Sequence, residues 1–213
     1  DAALAKDRHY TWRVRVWDEA DTPSAWSAPS DFSILTSEAA FAGSEWIGAI
    51  TRKDARIPEG RKYHGSELKK PEAKAAWAAV DTLAKKSIYL RREFYVAKKV
   101  KDATAYVCGL GFYEFSLNGE KVGDSEFAPL WSDYDKSVYY NTYDVTSQVK
   151  KGGNAIGVLL GNGFYNVQGG RYRKLQISFG APTLRFRMVV NYEDGTCETI
   201  VSGKDWKYDF SPV

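Results

Sequence analysis

Histidine and cysteine are scarce here, two of each in 213 residues, and that scarcity removes several function classes at once. His9 and His64 lie near no nucleophile signature, so a hydrolytic triad or a zinc site is not expected, and two surface or partly packed imidazoles are the plainer explanation. Cys108 and Cys197 are far apart and form no framework. Cys108 sits in the apolar run AYVCG and reads as a small core residue, and a disulfide to Cys197 is not expected. No apolar run approaches the length of a membrane span, and mean hydropathy is −0.45. The opening DAALAKDRHY has no signal-peptide character and reads as the middle of a domain. Neither charge sign dominates: the net charge is +3, with Lys and Arg spread among Asp and Glu, so a nucleic-acid footprint is absent. There is no internal repeat and no low-complexity tract. The glycine-rich pieces GLG (109–111) and GNGFYNVQGGRY (161–172) lack the strand–loop–helix order and the GK[ST] of a phosphate loop, and read as tight turns and bulges.

What is abundant is aromatic. Seven Trp, fourteen Tyr and ten Phe bring aromatic content to 15%, which favours strands and also supplies faces for stacking on sugars. The length suffices for one to two domains with a hydrophobic core. From 87 onward, β-branched and aromatic runs at 103–108, 138–143 and 155–160 alternate with Gly, Asp, Ser and Lys at spacings typical of an all-β sandwich. Phe115, Leu117 and Val122 are apolar beside polar Ser116 and Glu120. Asn118-Gly119 between them is the strongest short signal for a type I′ hairpin. Residues 192–195, YEDG, mark a second hairpin, and WKYDFSPV a last strand.

Upstream, Tyr10, Trp12, Val14 and Val16 alternate with Thr11, Arg13 and Arg15 as a strand. A turn at 18–23 leads to a second strand, SAWSAPSDFSI. Two or three strands cannot bury a sandwich core alone, so a truncated module is expected. KPEAKAAWAAVDTLAKK has Pro71 and Glu72 near its start and Lys85-Lys86 near its end, which predicts a helix of about four turns over 71–86. Ala76, Trp77, Val80 and Leu83 would share its buried face, laid against the sandwich.

The tracts GLGFYEFSLNGEKVG, FAPLWSDYDKSVYYNTYDVT and GGNAIGVLLGNGFY resemble the N-terminal β-sandwich of bacterial α-L-rhamnosidases, glycoside hydrolase family 78. The resemblance runs from about Trp46 to the C-terminus. YTWRVRVWD and SAWS resemble the last strands of the fibronectin-III-like module that often precedes it. The resemblance implies a mainly β chain: 1–36 the C-terminal strands of that module, 37–86 a linker with one helix, and 87–213 a jelly-roll-type sandwich. It also implies that the parent hydrolyses terminal α-L-rhamnose with inversion, in a separate (α/α)6 barrel of which no part is visible here. The segment itself is then non-catalytic. Its partners are that barrel and rhamnose-containing carbohydrate, and its location is the periplasm or the exterior of a bacterial cell. The charged stretch 51–86 departs from the family pattern.

For sugar contact, Trp131 beside Pro129 supplies a stacking face. Asn162, Tyr165, Asn166, Gln168 and Arg171 bring amides, a phenol and a guanidinium to one turn, and these are the donors and acceptors a hydroxyl-rich ligand needs. An autonomous carbohydrate-binding module is therefore the alternative to a scaffold. Asp133 and Asp135 could share a strand face, but side chains so close do not flank a sugar as a catalytic pair does. No cofactor is expected. Asp124, Asp133 and Asn154 place oxygen atoms in loops that calcium could use, yet no dense acidic loop supports such a site, and Gly152-Gly153 before Asn154 weakens it further.

Overall fold

The computed structural model describes residues 4, 8–34, 37–58, 65–168 and 176–212. The chain divides into two compact units, Asp1–Ala42 and Gly43–Val213. Segment 43–86 thus shares a unit with the strands that follow it.

In the first unit, β1 (Arg8–Trp12) pairs antiparallel with β2 (Ser30–Ile34), and Tyr10 stacks on Phe32 with ring centroids 5.5 Å apart. The expected strand through Val16 ends at Trp12. Beyond it the amides of Val14 and Val16 donate to the hydroxyls of Ser27 and Ser24, so side chains replace half of the ladder. The turn at 18–23 forms as expected, with the Asp18 carboxylate accepting from the amides of Ala20 and Thr22. Trp12, Trp17 and Trp26 each stay about half exposed, as so small a hairpin dictates. A short helix, α1 (Ser37–Ala40), follows.

The second unit carries β3 (Ile88–Val96), β4 (Val100–Leu110), β5 (Phe112–Leu117), β6 (Glu120–Lys121), β7 (Asn141–Asp144) and β8 (Gly152–Gly161). After them come β9 (Asn166–Gln168), β10 (Gln176–Ser178), β11 (Thr183–Tyr192), β12 (Cys197–Val201) and β13 (Lys207–Phe210). Two antiparallel sheets, ordered β13-β3-β8-β5-β6 and β12-β11-β4-β7, share one core, so the unit is a β-sandwich. In β11 the side chains alternate strictly, with Leu184, Phe186, Met188 and Val190 fully buried. Phe115 meets Phe186 edge to face at 5.5 Å, and Trp206 closes over Phe186 at 5.3 Å. The β5–β6 turn is the expected type I′, with φ of 55° at Asn118 and 84° at Gly119. The 192–195 hairpin also forms, joining β11 to β12.

The helix over 71–86 is shorter than expected. α2 (Pro71–Ala78) has 8 residues, and a separate 3₁₀ turn follows at Thr82–Lys85. Asp81 breaks the run: its amide donates to Ala55 O at 2.9 Å, and its carboxylate caps the Leu83 amide at 2.8 Å. The buried face is Ala73, Trp77, Val80 and Ala84, while Leu83 stays exposed. Trp77, Val80 and Ala84 pack with Ala55, Ile57 and Ala181 into a small core of their own rather than into the main one.

The run 138–143 is a strand only from Asn141. Before it, Asp133 O accepts from the amides of Lys136 and Ser137, and the Ser132 hydroxyl donates to Ser137 O, making a tight turn. The chain from this turn crosses the outward side of β4, where the Cys108 thiol donates to Tyr139 O at 3.3 Å.

Candidate functional site

The aromatic residues scattered along 127–179 converge. Trp131, 66% exposed, lies with its ring 5.4 Å from Phe164, and Phe164 meets Phe112 at 5.7 Å. Behind them Tyr134 packs against both Tyr165 and Phe179 at 5.2 Å, and Tyr165 stacks on Phe179 at 5.8 Å. Between these groups opens a cleft of about 840 Å³, with Val167 and Ile177 among its apolar walls and Ser132, Asp133 and Tyr139 at its polar edge. Burial raises the Tyr165 and Tyr134 phenols above their ordinary range, so both stay neutral donors.

Of the six residues expected to meet sugar, the structure places Trp131 in the cleft wall and Tyr165 behind it, the Tyr165 hydroxyl donating to Phe179 O at 3.3 Å, while Gln168 ends β9. The two asparagines turn elsewhere. Asn162 Nδ2 donates to Lys85 O at 2.6 Å, and Asn166 Nδ2 donates to Ala84 O at 2.8 Å and to Asn162 Oδ1 at 2.6 Å. The Ser178 hydroxyl completes the set by donating to Asn166 Oδ1, and Asn166 is 3% exposed. These amides tie the 162–166 turn to the carbonyls that end the 3₁₀ segment. Arg171 and His64 lie outside the described residues. The sequence reading missed Phe164 and Phe179, each adjacent to a glycine-containing turn, where an aromatic is held out from the strand.

In the described part of the glycine-rich pieces, turns form at Gly111 and Gly163, while residues 169–172 lie outside the described residues. Gly111 has φ of 126°, and a Cβ there would lie 2.1 Å from Gly161 O, so two backbones meet where no side chain fits. Asp133 and Asp135 belong to a turn and not to one strand face, and the Asp133 carboxylate pairs with Lys136 at 3.2 Å. Asn154 sits in β8, not in a loop, with its side-chain oxygen accepting from Lys150 N and Asn118 Nδ2. Among the described residues, no three His, Cys, Asp or Glu side chains gather in a metal-binding group. Both cysteines are free thiols, Cys108 buried and Cys197 exposed on an edge strand.

Residues 98–213 match the family described as the alpha-L-rhamnosidase N-terminal domain. The chain belongs to that family. Residues 1–35 match a second description, the Rha78A-like, N-terminal immunoglobulin domain, whose sandwich architecture is shared with fibronectin-III modules. An α-L-rhamnosidase of Formosa agariphila is 37% identical over 211 residues, covering 96% of this chain and 21% of the relative. A solved α-L-rhamnosidase from Dictyoglomus thermophilum superposes with a TM-score of 0.66 at 31% identity, over 98% of this chain and 21% of that one. One from Aspergillus terreus does so with a TM-score of 0.72 at 26% identity, over 100% of this chain and 22% of that one. The chain thus spans about a fifth of the length of rhamnosidases such as these.

Proposed function

We propose that this chain is the non-catalytic N-terminal part of an α-L-rhamnosidase-like glycoside hydrolase, in which the sandwich braces an inverting catalytic barrel. The observation that carries this reading is a continuous exposed apolar surface. Phe127 is 70% exposed, Leu130 76% and Trp131 66%, and Phe112 joins Phe127 to Phe164 through ring contacts of 5.5 and 5.7 Å. Apolar patches of this kind mark protein contacts, and relatives about five times as long supply a partner within the same polypeptide. The test is hydrolysis of an aryl α-L-rhamnoside by these 213 residues alone. No turnover is expected, and turnover would overturn the non-catalytic reading.

A second reading, direct contact with rhamnose-containing carbohydrate, is favoured by the exposed Trp131 indole beside the polar edge formed by Ser132, Asp133 and Tyr139. Its test is a titration with L-rhamnose, followed by tryptophan fluorescence and heat, first with calcium and then with chelator. Saturable binding that Trp131→Ala removes would support it. A folded protein that gives no signal leaves the bracing role alone.

A further inference from the structure

A second groove, of about 800 Å³, opens where segment 45–54 runs past the start of β11 and the connection from β12 to β13. Its frame is backbone held by backbone. Glu45 N donates to Ser202 O at 2.9 Å, while Ile47 and Leu184 exchange amide-to-carbonyl bonds at 2.9 and 2.8 Å. The Trp206 indole is pinned by its Nε1–H donating to Val201 O at 2.8 Å. At Gly48 the chain passes so close to Pro182 O that a Cβ would lie 2.9 Å from it. The shape of the groove is therefore set before anything enters it.

Its walls combine exposed aromatic rings with charged side chains of both signs. Trp46 and Tyr208 offer exposed rings, 44% and 54% accessible, from separate stretches of chain, and the lining also includes the buried side chains of Leu90 and Trp206. The polar lining is balanced in charge, with Glu45 and Asp54 against Arg52 and Lys204. Two of these four are engaged locally. The Asp54 carboxylate accepts from the Thr51 hydroxyl at 2.6 Å, and the Arg52 guanidinium donates to Pro58 O at 2.6 Å. Glu45 and Lys204 remain exposed at the lining, one an acceptor and one a donor.

From this arrangement we infer that the groove binds a neutral carbohydrate. A pyranose has an apolar C–H face suited to a Trp or Tyr ring and a hydroxyl edge that a carboxylate and an ammonium can both address. The balanced lining gives no net field to attract a phosphate, a nucleic acid strand or an acidic polysaccharide. The inference rests on the glycoside-hydrolase reading only for the choice of sugars. Hydrolysis by the isolated chain would overturn that reading and leave this one standing.

The test is a binding panel of neutral oligosaccharides ending in L-rhamnose, D-galactose or D-glucose, applied to the 213-residue chain and followed by tryptophan fluorescence and calorimetry. At least one member is expected to bind saturably, with little change on added salt. Trp46→Ala and Tyr208→Ala are each expected to weaken that binding about tenfold, the loss of one stacking face. Tyr208→Phe keeps the ring and should keep most of the affinity, and near-UV circular dichroism checks that each variant is folded. Tyr95→Ala, at a ring 69% exposed and outside both the groove and the Trp131 cleft, should leave the binding unchanged. Two results would overturn the inference: a folded wild-type chain that binds no member of the panel, or binding that is lost with Trp131→Ala but not with Trp46→Ala.

Discussion

Asn118 donates its side-chain amide to the side-chain oxygen of Asn154 at 2.9 Å, and through that bond the type I′ turn is fastened to the start of β8. Each partner has a second duty. Asn118 adopts the left-handed backbone that the turn needs, accepts from Ala155 N and donates to Gln148 O. Asn154, 4% exposed, closes the turn before it by donating to Lys150 O and Gly152 O and accepting from Lys150 N.

Asn154→Ala strands several of these groups away from water. It is expected to cost about 1–3 kcal/mol of stability, the penalty for leaving buried polar atoms unpaired. Urea unfolding checks this, and a loss below about 0.5 kcal/mol, the range of an ordinary surface change, would contradict it.

Asn166→Ala is expected to act on stability in the same way. Its amide joins Ala84 O, its oxygen accepts from Ser178, and the side chain is buried, so its loss should lower the unfolding midpoint by an amount equivalent to about 1–3 kcal/mol. An unchanged midpoint would mean that these bonds contribute little. Trp131→Ala, at a side chain 66% exposed, is the comparison and should stay within about 0.5 kcal/mol of wild type.

The two thiols should separate by reactivity. Burial pushes the Cys108 thiol up to about 12, with Arg185 opposing, whereas Cys197 is exposed. Since the thiolate is the nucleophile, an aromatic disulfide reagent at mildly alkaline pH should modify Cys197 quickly in the native protein. Cys108 should react only after denaturation. Equal rates for both would show that the cover over β4 opens readily.

At the β11–β12 hairpin the Lys98 ammonium, 2.8 Å away, together with the hydroxyl and amide of Thr196, holds the Asp194 carboxyl well below the usual carboxylate range. A depressed folded-state value makes a contribution to stability that is present above the ordinary carboxylate range and is lost as pH falls through the folded value. The Tm difference between wild type and Asp194→Asn should therefore shrink on acidification from neutral pH. A gap that stays constant or widens would show that the charge is not what matters there.

Much of the sandwich is legible in the chain because its signals are local. Asn118-Gly119 specifies two consecutive positive φ angles, which few other dipeptides tolerate. The alternation of 183–192 puts every second side chain into the core whatever lies opposite. Cys108 reads as core because its neighbours are apolar. The aromatic cleft was half legible: Trp131 and Tyr165 stood out, but Phe164 and Phe179 acquire their role only when the turn near 163 comes beside the chain at 131–134.

What the chain order leaves unrecorded has one physical origin. Asn162 and Asn166 look like sugar ligands because amides in a glycine-rich turn have no local partner, and their partners, Lys85 O and Ala84 O, come from about eighty residues earlier. Asp81 ends the helix because Ala55 O waits for its amide. Val14 and Val16 leave the strand pattern because Ser24 and Ser27 satisfy their amides instead. By itself the sequence determined the turns, the strand alternation and the family, all of which follow from backbone sterics and from patterns within about ten residues. Only the tertiary structure decided which polar groups face inward, where the helix stops and which aromatic rings share a cleft, because a hydrogen bond or a ring contact forms between whatever atoms the fold brings within reach, and the chain order does not record that distance.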